Sequence, residues 1–208
     1  MKIRLRNLPA FLLLGFSATG FAQTIASFTP AAPFLSALPS ATTISGQTFT
    51  AAFSGTVGVV TVLAQATGPS PSSITVQLRS VSGGLPTAAI LGVVSTPGVG
   101  LTGSLSAFSV DFSSQAIAVN AGDSYALTLF GTALFGLGGG TNGYAGGAQV
   151  NSTGGAPFVF FAPARDLSFS VMAAPSLVAV PEPSTYGAAA VVSLVGICAW
   201  SRKRKRKS

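Results

Sequence analysis

The 208-residue chain has no histidine, one cysteine and only four acidic residues. Each shortage removes a chemistry. Without an imidazole there is no Ser-His-Asp relay, no Cys-His nucleophile and no histidine metal ligand. Cys198 lies in an apolar stretch near the C-terminus, so the long region before it holds neither a disulfide nor a thiol. Cys198 itself reads as a small residue of an apolar helix rather than an acylated or reactive group. A carboxylate pair for glycoside hydrolysis would have to come from Asp111, Asp123 and Asp166. Asp123 stands in an Asn-Ala-Gly-Asp turn, where hydrogen bonding to nearby backbone is the ordinary use of such a side chain. Arg165-Asp166 reads as solvated polarity at the start of a strand, or as a local ion pair. No D-x-D spacing marks a calcium loop. The chain is therefore expected to be no enzyme and to hold no cofactor and no metal.

Charge is scarce too, and unevenly placed. The overall excess is 11 basic against 4 acidic residues, with a pI near 10.4. Lys2, Arg4 and Arg6 lie at the head, and Arg202, Lys203, Arg204, Lys205, Arg206 and Lys207 at the tail. Only Arg79 and Arg165 lie between residues 23 and 180, against three aspartates, a net charge of −1. Nucleic-acid binding needs a clustered positive surface on the folded domain. The sequence predicts no nucleic-acid partner.

What is present at the two ends is an address. Leu8 to Phe16 is apolar apart from Pro9 and Gly15, and follows the three basic residues. Gly20-Phe21-Ala22 offers a small-x-small cleavage site, so residues 1–22 are expected to be a signal peptide read by the Sec translocon, with the mature start near Gln23. At the other end, Pro181 and Pro183 isolate an apolar run, Tyr186 to Trp200, from what precedes it. As a helix the run spans roughly 22 Å, short of the hydrocarbon core of roughly 30 Å. Tyr186 and Trp200 sit where interfacial aromatics are expected, and the Arg202–Lys207 cluster would remain cytoplasmic. A nuclear-localisation or nucleic-acid patch would not need an apolar helix directly before it.

The order Val180-Pro-Glu-Pro-Ser-Thr185, apolar helix, basic cluster resembles the PEP-CTERM sorting signal of Gram-negative bacteria. The resemblance covers Val180 to Ser208. It implies that an exosortase-type membrane protease handles the chain, that Pro181, Glu182 and Pro183 are the recognition element, and that the helix and basic cluster hold the substrate in the inner membrane before processing. It also implies association with exopolysaccharide and biofilm.

Residues 23–180 have the patterning of strands. Ile74-Thr-Val-Gln-Leu-Arg79 alternates with period two, and Ala107 to Phe112 puts Phe108, Val110 and Phe112 on one face. Tyr125 to Phe130 and Leu167 to Met172 behave alike. Val57 to Leu63 and Phe158 to Phe161 are continuous apolar runs, which predicts strands covered on both faces. Turn chemistry interrupts these runs at Gly68–Pro71, Gly83–Pro86, Asn120–Asp123 and the glycine-rich stretch Gly136–Gly147. An antiparallel β-sandwich or jelly roll is predicted. An outer-membrane barrel, which needs strands of about ten alternating residues, suits neither these runs nor a helical tail. Gly-Gly-Leu-Pro (83–86) and Val119-Asn-Ala-Gly-Asp-Ser-Tyr-Ala-Leu127 are similar to the choice-of-anchor secreted β-domains, a likeness running from about Gln47 to Met172.

The stretch Phe135 to Gly143 superficially resembles a phosphate loop, but it lacks the lysine and reads as a flexible or tight-turning surface loop. Two function classes follow. The first is a non-catalytic protein of the cell surface or extracellular matrix. The alternative is a lectin-like carbohydrate-binding module. Residues 23–180 contain no Trp and two Tyr; Tyr125 falls in a strand pattern and is expected in the core, leaving Tyr144, in the glycine-rich loop, as the exposed candidate for a glycan contact.

Overall fold

The computed structural model describes residues 22–141, 143–161 and 165–175. The sorting motif, the apolar run 186–200, the basic cluster and all but the last residue of the expected signal peptide lie outside the described residues. One compact unit, Phe21–Pro175, contains everything below.

In chain order the strands are β1 (Thr24–Phe28), β2 (Phe34–Ala37), β3 (Thr43–Thr50), β4 (Gly55–Ala66), β5 (Ile74–Ser82), β6 (Leu85–Thr96), β7 (Ser106–Asp111), β8 (Ala118–Val119), β9 (Ser124–Gly131), β10 (Phe135–Thr141), β11 (Gln149–Thr153), β12 (Val159–Phe160), β13 (Arg165–Leu167) and β14 (Phe169–Ala173). A single turn of 3-10 helix, Ser113–Gln115, separates β7 from β8. The unit is all-β, with two sheets whose strand pairs are antiparallel, as the alternating runs predict. One sheet has the order β12-β11-β3-β9-β5-β6. The other runs β1-β14-β4-β10-β13, with β7 and β8 also on β4 and β2 also on β10.

Local sequence explains much of this. Ile74, Val76 and Leu78 alternate inward on β5 and are all but inaccessible to solvent. The β5–β6 connection is Gly83-Gly84, both with positive φ (60° and 80°), the conformation that a two-residue hairpin loop matched to strand twist requires. Inward residues of both sheets, among them Phe49, Leu78, Phe112, Leu127, Leu129, Phe135, Leu137, Leu167, Phe169 and Val171, form one continuous core.

Four expectations are corrected. The Phe135–Gly143 stretch is not a surface loop throughout, and the turn chemistry expected from Gly136 does not begin there: Phe135–Gly140 is a buried strand segment in the middle of its sheet. Leu167 to Met172 is not one continuous strand. Arg165–Leu167 pairs with β10, whereas Phe169–Ala173 pairs with β4, and Ser168 marks the crossing, its N–H donating to Gly138 O at 2.9 Å. Val57 to Leu63 is not covered on both faces, since Val59 is 38% exposed while Val57, Val60 and Val62 are buried. Its apolar continuity accompanies a central position, with β14 and β10 along one edge of β4 and β7 and β8 along the other. Phe158 to Phe161 forms only a two-residue edge strand, and Val159 and Phe160 are 56% and 50% exposed.

Candidate functional site

The chemistry-bearing side chains concentrate in one buried bridge between the sheets and two arginine-lined clefts. On β3, Ser45, Gln47 and Phe49 share the inward face. Gln47 lies opposite Gln149 of β11, and both glutamines are fully buried. A buried amide must find partners within the protein. Ser36 Oγ of β2 donates to Gln149 Oε1 at 2.7 Å, and Gln149 Nε2 donates to Ser36 O at 3.3 Å. Gln47 Nε2 donates to Asp166 Oδ1 at 2.9 Å and to Thr48 O at 3.2 Å, while Gln47 Oε1 accepts from Leu167 N at 2.8 Å. The other oxygen of Asp166 accepts from the backbone N–H groups of Gly143 and Tyr144, each at 3.0 Å. Among the described residues, no buried side-chain nitrogen or oxygen lacks a partner.

Asp166 is therefore an internal anchor held by Gln47, Gly143 and Tyr144, which corrects the expectation that Arg165-Asp166 is solvated polarity at a strand start or a local ion pair. Successive residues of a strand point to opposite faces. Asp166 goes inward, and the Arg165 guanidinium lies over the Phe34 ring, 5.4 Å from its centroid. A carboxylate that accepts one amide and two backbone N–H groups holds the glycine-rich segment against the sandwich rather than serving a substrate.

The larger cleft, about 510 Å³, lies against the outer side of the six-stranded sheet, between the start of β6 and the segment after β11. Arg79 lines it beside Ile44, Leu85, Pro86 and Phe158. Its Nε and Nη2 donate to Gln77 Oε1 at 3.0 and 2.7 Å, and its Nη1 donates to Thr87 O at 3.0 Å and Ala88 O at 3.4 Å. The guanidinium also stacks over Phe158 at 5.4 Å. Partial burial moves its pKa below the ordinary arginine value. A second cleft, of about 290 Å³, is lined by Leu35, Leu38, Asn151, Phe161 and Arg165. The two arginines of the domain thus each sit on a phenylalanine.

The remaining carboxylates are apart from these groups. Asp111 ends β7 in the open; the Ser113 hydroxyl and then the Ser113 N–H (2.8 Å) donate to it and hold its carboxyl below the usual range. Asp123 is in the predicted turn, accepting from Asn120 Nδ2 at 3.1 Å. Among the described residues there is no cluster of three His, Cys, Asp or Glu able to hold a metal. No nucleophile is paired with a base in either cleft.

Tyr125 is buried, as predicted, and its hydroxyl accepts from Asn120 N at 3.0 Å. Tyr144 is not the exposed ring the sequence predicts. It packs edge-on against Phe169 with centroids 5.2 Å apart, and lies 6.2 Å from Phe28. Burial pushes its hydroxyl above the ordinary tyrosine value, and the charge of Asp166 pushes the same way. A raised folded-state pKa contributes stability below the unfolded value of about 10 and loses it as pH rises beyond that. Denaturant titrations at about pH 9 and about pH 11 are expected to show a steeper alkaline loss in the native chain than in Tyr144→Phe. Parallel losses in the two chains would refute this.

Sequence reasoning passed over Gln47, Gln149 and Ser36. The available signal was a glutamine two residues before Phe49 on an inward-facing period. No family model matches the chain, and no curated protein matches it. Among solved structures, it is similar to the crystal structure of the cysteine protease and lectin-like domains of Cwp84, a surface layer associated protein of Clostridium difficile, at 11% identity and a TM-score of 0.42, covering 67% of this chain and 32% of that one. At that level the likeness assigns no function, and the chain spans well under half of the structure it matches.

Proposed function

We propose that the chain is a non-catalytic protein exported to the cell surface or extracellular matrix of a Gram-negative bacterium, in which the β-sandwich is the delivered part and residues 181–208 are a sorting tail handled by an exosortase-type protease. The observation that carries this reading is the three-part tail: Pro181-Glu182-Pro183, the apolar run 186–200 and the cluster Arg202–Lys207. A second observation supports it. The compact unit Phe21–Pro175 fills most of the interval between the two terminal segments. The lectin-like alternative would now rest on the Arg79 cleft. There four guanidinium hydrogen bonds go to Gln77, Thr87 and Ala88, an arrangement that favours a clamp over a ligand contact.

Intact mass of the envelope-associated protein tests the proposal. The expected species begins near Gln23 and ends near the Pro-Glu-Pro element. A mature species that keeps Arg202–Lys207 would overturn the sorting reaction and leave a simple tail-anchored protein.

A further inference from the structure

The smaller cleft, of about 290 Å³, lies at the start of β3, where the inward face departs from the patterning that builds the core. On β5 the inward positions Ile74, Val76 and Leu78 are all apolar. On β3 the same face reads Thr43, Ser45, Gln47, Phe49, and Thr153, Asn151 and Gln149 of β11 stand opposite the first three. The deeper pair, Gln47 and Gln149, is satisfied by Asp166 and Ser36. The outer pair is not: among the described residues, neither Ser45 nor Asn151 has a hydrogen-bond partner for its side chain, and both line the cleft beside Thr43. Ser45 is only 3% exposed. Since no buried side-chain oxygen among the described residues lacks a partner, its hydroxyl is the part that the cleft leaves open.

Arg165 stands at the same cleft. Its guanidinium lies on Phe34 and, unlike that of Arg79, donates to no acceptor among the described residues. Nor is a described carboxylate placed to neutralise it. Asp166 is taken by Gln47, Gly143 and Tyr144, Asp123 by Asn120, and Asp111 by Ser113.

A guanidinium presents a planar fork of donors that matches a carboxylate. A bare carboxylate would leave its neighbours in the cleft unused, because amide and hydroxyl oxygens accept hydrogen bonds as well as lying beside donors. The set therefore suits a ligand that carries an anion and several hydroxyl donors on one small frame. Leu35, Leu38 and Phe161 supply an apolar wall for the C–H face of that frame. The volume is at the small end of ligand pockets, which suits a single sugar ring better than an extended segment.

We propose that this cleft binds the carboxylate-bearing ring of an acidic sugar. Arg165 clasps the carboxylate, and Asn151, Ser45 and Thr43 exchange hydrogen bonds with the ring hydroxyls. All of these residues belong to the sandwich, so the site is present whether or not the tail is removed.

The test uses the full chain in a mild detergent at about 0.15 M salt, where non-specific attraction to the terminal basic clusters is weakened. Titration calorimetry with methyl β-D-glucuronide and methyl α-D-galacturonide is expected to show saturable binding of at least one of them. Uncharged methyl β-D-glucoside and acetate are each expected to bind at least about tenfold more weakly than that acid. Arg165→Gln is expected to weaken the acid at least about tenfold, and Asn151→Ala several-fold, with unchanged thermal midpoints because neither side chain donates to a described acceptor. Absence of saturable binding for both acids overturns the proposal. So does a neutral glucoside bound as tightly as the acid. Equal affinity of the native and Arg165→Gln chains overturns it too, by moving the attraction to the basic clusters.

Discussion

Asp166→Ala is expected to lower the unfolding free energy by about 4 kcal/mol. The carboxylate is completely buried and accepts from Gln47 Nε2, Gly143 N and Tyr144 N. Truncation leaves these three donors facing a cavity that the surrounding strands cannot easily close. Gln47 is itself tied to Leu167 N through its other amide atom, so it cannot turn to compensate without abandoning that bond. The loss extends to the segment that positions Tyr144, which packs on Phe169 and Phe28. Asp166→Asn keeps one acceptor oxygen and places an NH₂ against a donor, so it should fall between alanine and the native chain. Urea denaturation of the three proteins measures the order. An alanine variant within about 1 kcal/mol of the native chain would show that the bridge contributes little.

Gly139→Ala should be nearly as damaging, by about 3 kcal/mol, although it adds a single methyl group. Gly139 lies on β10 between Phe34 of β2 and Leu167 of β13. A Cβ there would overlap the backbone oxygen of Asp166 and stand 2.8 Å from Ser36 Cβ. Neither obstacle is the free end of a flexible side chain, so the strand must shift and disturb the bridge. Gly138 is similarly enclosed, with Leu63 Cβ at 2.9 Å and Leu105 at 3.0 Å from the position a Cβ would take. Gly103 provides the contrast, since a Cβ there meets nothing within 4 Å. Gly103→Ala should change stability by less than about 0.5 kcal/mol. Equal midpoints for the two alanine variants in the same denaturant titration would remove the packing explanation.

These two sites mark the limit of what patterning reveals. The alternation in Ile74–Arg79 and Tyr125–Phe130 identifies β5 and β9, because apolar side chains at period two report directly on a half-buried strand. Gly83-Gly84 identifies the hairpin between β5 and β6, because both central residues need positive φ. The glycines of β10 report nothing of the kind. A residue without a side chain has no hydropathy period, and the same composition marks surface turns. The role of Asp166 is hidden for a related reason. Its neighbours in sequence suggest water, whereas its partners Gln47 and Gly143 lie 119 and 23 residues away.

The amino-acid sequence by itself determined the strand-rich character of this protein, the near absence of charge between its ends and the absence of histidine chemistry. All of these follow from composition or from neighbours along the chain. Only the tertiary structure decided that the glycine-rich stretch contributes a buried strand, that Asp166 joins two sheets, and that Tyr144 packs inward. Each depends on contacts between residues more than twenty positions apart, where backbone fit and long-range hydrogen bonds outweigh local propensity.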